Sequence, residues 1–129
     1  STITDEAYFE EAGVVWMGSN FQAQFLGLEI PTEPIRSLAV HRLEAALLDR
    51  PILAELDDKA EISVLELKAF LAGNRKSREW FVFYLRGRGG LPWAVGAYWR
   101  SGDDGWRVIA DSVDYPREWF AGDQVVSRN

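Results

Sequence analysis

Residues 79–113 read "EWFVFYLRGRGGLPWAVGAYWRSGDDGWRVIADSV" and carry eight of the chain's seventeen aromatic side chains. Three runs rich in aromatic and β-branched residues, at 80–86, 93–100 and 106–113, are separated by "GRGGLP" and "SGDDG". Such runs favour a pleated, half-buried surface, and Gly, Pro, Ser and Asp supply the tight turns between them. Three consecutive antiparallel strands are therefore predicted. A turn closing around 101–105 sets Trp99 opposite Trp106, Ala97 opposite Val108 and Val95 opposite Ala110. These pairs share one face, and a slip of one residue would scatter them. With Phe81, Phe83 and Leu85 they form the predicted core, each ring buried there contributing about 2–3 kcal/mol.

The rest of the chain is read around this unit. Thr4, Asp5 and Glu6 signal a helix start, and Gly13 ends a short helix over 4–11. "VVWMGSNFQAQFLGLEI" is predicted to be a hairpin, because Phe21, Ala23 and Phe25 alternate with Gln22 and Gln24. "PTEP" ends it, and Ile35, Leu38, Ala39, Leu43, Ala46 and Leu47 recur at helical spacing to about residue 49, with Arg42 off the pattern. Pro51 breaks that helix, and Ile52, Leu53 and Leu56 suggest a further short turn. Ser63 and Glu66 have the spacing of a capping box opening a helix that ends at Gly73-Asn74. Pro116 and "REWFAGDQVV" are read as a short C-terminal helix or turn followed by a tail.

The expected fold is a single α+β domain over residues 1–129. It is a mainly antiparallel sheet of about five strands, in the order α-β-β-α-α-β-β-β-α, with helices packed on one face. This order resembles, in topology alone, the roadblock/longin and profilin-like class. More loosely it resembles the nuclear-transport-factor-like cone and the small acidic type III secretion chaperones. No motif carries a family assignment.

Composition narrows the chemistry. Without cysteine there is no disulfide framework, thiolate metal site or cysteine nucleophile. The single histidine, His41, leaves no HExxH pair and no relay of two imidazoles within one chain. The adjacent acids Asp57-Asp58 and Asp103-Asp104 lack calcium-loop spacing, and neither "GRGG" nor "GDDG" precedes the Lys-Ser/Thr of a phosphate loop. No cofactor is expected. The acidic N-terminal segment has no basic n-region or apolar h-region, and no apolar run reaches membrane-spanning length. A soluble, cytoplasmic protein is expected.

The net charge of −6 is unevenly spread. Residues 1–74 carry −8, whereas 75–107 carry +4. Such asymmetry marks either an acidic helical layer on a more basic sheet or a surface for an anionic partner. The opposite face of the three strands sharpens the question. It carries Trp80, Val82, Tyr84, Arg86, Gly96, Tyr98, Arg100, Arg107, Ile109 and Asp111. A solvated sheet face favours Thr, Lys and Glu, whereas Trp, Tyr and Arg are the types enriched at interface hot spots.

Two readings follow. In one, the N-terminal helix, a loop or "YPREWF" folds over this face and completes a second core. In the other, Trp80, Tyr84, Arg86, Tyr98, Arg100 and Arg107 bind another protein or a second copy of the chain, as an adaptor does. An alternative is a cone-shaped pocket for a small ligand or for isomerase- or dehydratase-type chemistry, with Asp111 and His41 as acid and base beside Tyr84 and Tyr98. The simpler expectation for Asp111 is an ion pair with Arg100 or Arg107. Stacking aromatics among arginines also suit single-stranded RNA, but the acidic balance and the lack of an RNP-type run weigh against nucleic acid.

Overall fold

The structure is a computed structural model and describes residues 2–115 and 117–129. It opens with α1 (Glu6–Glu10), capped by Asp5, whose carboxylate accepts from the Tyr8 amide at 2.8 Å. Gly13, with φ +96°, turns the chain into β1 (Val14–Met17) in a conformation that a side chain would disfavour.

The first arm of the predicted hairpin stands as β1, but its second arm is replaced by α2 (Ser19–Phe25), and β1 pairs with a distant strand instead. Phe21 and Phe25 are fully buried while Gln22 and Ala23 are exposed. Their spacing of four satisfies a helix as well as a strand; in the helix that forms, Phe21 packs edge-on against Phe9 of α1 and Phe25 packs against Phe21.

The predicted helix over 32–49 is also overturned. In its place stand β2 (Leu38–Arg42) and β3 (Leu47–Leu48), and Ile35 is half exposed. The helical spacing there is outweighed by a ladder that the distant C-terminal strand supplies. The helix begins only at α3 (Asp49–Leu56), where Pro51 lies in the first turn and needs no N–H. A 3-10 turn (Asp57–Lys59) leads to α4 (Val64–Gly73). The capping box is present: Ser63 Oγ accepts from the Glu66 amide, and the Glu66 carboxylate accepts from the Ser63 amide.

The three predicted strands are β4 (Phe81–Arg86), β5 (Pro92–Arg100) and β6 (Gly105–Ser112). Trp99 pairs with Trp106, Ala97 with Val108 and Val95 with Ala110, the register read from the turn. The C-terminal segment is not a helix and tail. It forms β7 (Glu118–Trp119), paired with β3, and β8 (Gln124–Arg128). Pro116 lies outside the described residues.

The α+β class holds, but the sheet is mixed rather than mainly antiparallel, and the element order differs from the expected one. Six strands run β1-β6-β5-β4-β8-β2, with β1 parallel to β6, β8 parallel to β4 and the other pairs antiparallel. The small β3-β7 sheet is separate. The topological resemblances drawn from the expected order lose their basis with it.

Two cores follow. On one face, α1, α2 and α4 bring Phe9, Phe21, Phe25, Leu67 and Leu71 onto Phe81, Phe83, Val95, Trp106 and Val108. Trp106 Nε1 donates to the Leu71 carbonyl at 2.9 Å and so satisfies an acceptor in the last turn of α4. Helices do not keep to this face alone. On the other, α3 and the β3-β7 sheet bring Ile52, Leu47, Leu53 and Trp119 onto Val82, Tyr84, Ala94 and Val125.

Candidate functional site

The second face is closed at one end and open at the other, and each end has a local cause. At the closed end, Tyr84 is 1% exposed and its hydroxyl donates to Asp49 Oδ1 at 2.8 Å. Trp119 Nε1 donates to the same oxygen at 2.7 Å. Asp49, itself 1% exposed, thus ties the start of α3 to β4 and β7, while its Oδ2 is buried without a hydrogen-bond partner. Burial raises the Asp49 pKa, partly offset by these two donors, and burial together with the Asp49 charge raises that of Tyr84. The Trp119 ring lies over Gly96: a Cβ there would come within 3.0 Å of the indole. The residue that approaches this glycine is therefore the chain's own.

At the open end, four side chains form a row across three strands and the residue that precedes a fourth. Trp16 on β1 is the register partner of Arg107 on β6, which in turn faces Tyr98 on β5. Tyr98 stacks on Trp80, just before β4, with ring centroids 4.2 Å apart and planes 24° from parallel. The Arg107 guanidinium lies 4.3 Å from the Trp16 ring centroid, a cation–π geometry. Trp16 is 42% exposed, and Trp80, Tyr98 and Arg107 are half-buried. Arg107 Nη1 approaches Asp103 at 3.3 Å, and Arg100 Nε reaches the same oxygen at 3.6 Å, so two guanidinium groups share one carboxylate. Beside the row, Trp16, Ile109, Asp111 and Arg117 line an open depression of about 490 Å³.

The residues singled out from sequence divide accordingly. Trp80, Tyr98, Arg100 and Arg107 lie at the open end. Tyr84 belongs to the second core instead. Arg86, on the same strand, is exposed and pairs with Glu61 at 2.8 Å while donating to the Gly90 carbonyl. Asp111 pairs with Arg117 at 2.8 Å rather than with Arg100 or Arg107, whose shared partner is Asp103. His41 lies on the edge strand β2, not on a helix, with Nε2 2.9 Å from Ser127 Oγ. Strands β8, β4 and β5 separate it from Asp111, so the two do not form an acid–base pair. Among the described residues no group of three or more His, Asp or Glu side chains is disposed to hold a metal ion.

Trp16 and Arg117 were not singled out from sequence. Trp16 stood in a run read as strand, but its face depended on a parallel pairing with β6, ninety residues along the chain, that no local pattern announces. No described helix is long and apolar enough to cross a membrane. No family model matches the chain, and neither a curated protein nor a solved structure matches it.

Proposed function

We propose that this protein is a non-enzymatic, protein-binding adaptor of the secretion-chaperone, immunity/inhibitor or assembly-factor kind. It grips its partner through the open row of Trp16, Arg107, Tyr98 and Trp80, with Arg100 alongside. The observation that carries this reading is the contrast within one sheet face. Its central part is sealed by α3, β3 and β7, whereas the adjoining row leaves Trp16 exposed and Trp80, Tyr98 and Arg107 partly exposed. Rings locked by stacking lose little side-chain entropy on binding, which suits them as anchors. The partner fitted by this chemistry presents apolar side chains for the rings and carboxylates for the two guanidinium groups that share Asp103. The pocket alternative has less to stand on, because its acid and base candidates lie on separate strands and Tyr84 is occupied by Asp49.

The test is the double variant Trp16→Ala/Tyr98→Ala, compared with the native chain by quantitative cross-linking in the source cell. Partners that bind through the row drop at least about tenfold in yield, the loss expected when two anchors of more than ~1 kcal/mol each are removed. Thermal melting of the double variant checks that the fold persists. Unchanged cross-linking by a folded double variant overturns the proposal.

A further inference from the structure

Strand β2 ends the large sheet and pairs only with β8. Its inward bonds have a clear parity. The Leu43 amide donates to the Asp123 carbonyl, the Leu43 carbonyl accepts from Gly122, and the Ser37 carbonyl accepts from Asn129. Hydrogen bonding alternates along a strand, so residues 37, 39, 41 and 43 face β8. The amides and carbonyls of Leu38, Val40 and Arg42 therefore point away from the sheet. The Val40 side chain is 46% exposed.

Native proteins blunt such edges with bulges, prolines or charged centres. The opposite edge, β1, has a bulge between Val14 and Trp16. β2 has an unbroken five-residue register, no proline, and an apolar residue at its midpoint.

We infer that β2 is the seam of a two-fold homodimer, in which a second copy adds its own β2 antiparallel to the first. An isologous contact brings each residue against its mirror about the axis. With the axis at Val40, all five residues pair: Val40 meets Val40, Leu38 meets Arg42, and Ala39 meets His41. No like charges are opposed, and every outward amide and carbonyl gains a partner. Continued past the strand, the same register sets Arg36 of one copy, whose guanidinium already pairs with Glu66, opposite the exposed Glu44 of the other. Shifting the axis by one residue to His41 would set two imidazoles against each other. The seam lies at the opposite edge of the sheet from Trp16, so the adaptor surface and the dimer seam are independent.

Sedimentation equilibrium of the full chain over a wide concentration range tests the seam. A monomer–dimer equilibrium is expected. Val40→Pro removes an outward amide that bonds to nothing in its own copy, and should weaken the dimer about tenfold or more with little change in the melting of dilute protein. Val40→Lys should do the same by opposing two ammonium groups across the axis. In the native protein, exchange of the Val40 and Arg42 amides should slow as concentration rises, a readout that does not depend on any variant folding. A native chain that stays monomeric overturns the inference. So does association that leaves those amides unprotected. If Trp16→Ala/Tyr98→Ala disperses the dimer and the Val40 variants do not, the seam is the aromatic row, and this inference fails while the adaptor reading stands.

Discussion

Asp49 accepts two hydrogen bonds on one carboxylate oxygen while the other is buried without a partner. Burial holds its pKa above the ordinary carboxylate value, with the nearby Asp111 adding to the effect and Arg117 opposing it. A group whose pKa is raised by folding contributes stability below its unfolded pKa and loses it as pH rises through the folded one. Asn at this position retains the acceptor for Tyr84 and Trp119 but cannot ionise. Relative to the native chain, Asp49→Asn should therefore gain in melting temperature from acid to neutral pH; equal pH profiles for the two would contradict this assignment. Glu66 has the opposite sign. Burial opposes its charge, yet the Arg36 guanidinium and the Ser63 and Arg36 amides outweigh it and lower its pKa to about 2. Its contribution is present above the unfolded value near 4.5 and is lost as pH falls toward 2. Because Arg36 is half exposed, that contribution is on the order of 2 kcal/mol. Glu66→Gln should flatten the acid limb of the stability profile, as read by denaturant titration at several pH values. Neither role was legible from sequence beyond the capping box, since Arg36 reaches Glu66 from thirty residues away.

At the scale of elements, the capping box and the 101–105 turn held, whereas residue periodicity over 21–25 and 35–47 did not. Ser63 and Glu66 are three residues apart and their box formed as read. The 101–105 turn determined the register of β5 and β6 because a hairpin's two strands are joined by the turn that aligns them. Phe21 and Phe25, by contrast, were compatible with both periods, and the helix that formed buries both rings in the main core, with Phe21 against Phe9. The 38–42 segment had helical spacing, and pairing with β8 overrode it. Two element-scale predictions follow from packing. Gly96→Ala sets a methyl 3.0 Å from the Trp119 indole and 3.3 Å from Ile109, so the indole must give by a few tenths of an ångström. The expected cost is about 1–3 kcal/mol, with a shift of the Trp119 indole N–H resonance as its signature; an unmoved resonance would mean the cover has room to spare. Ser63→Ala removes the α4 cap and should cost about 1 kcal/mol in chemical denaturation.

At the scale of the molecule, the last strand closes the design. β8 lies between β4 and β2, and it brings Val125 to one core and Val126 to the other. Removing residues 124–129 exposes the β4 edge, strands β2 and opens both cores at once. The truncated chain should show no cooperative thermal transition, and a sharp one would demote β8 to an accessory. The sequence by itself determined the class, the three-strand unit, the register of its second hairpin and which of its faces forms the main core. Those follow from alternation and turn chemistry, which act over a few residues. Only the tertiary structure decided that β1 and β8 run parallel to their neighbours, that α3 and β7 seal half of the second face, and that Trp16 completes the open row. Each of these rests on a contact between segments far apart in the chain. Closing such loops costs entropy that depends on separation, whereas the choice of partner depends on shape and burial, which no window of neighbouring residues contains.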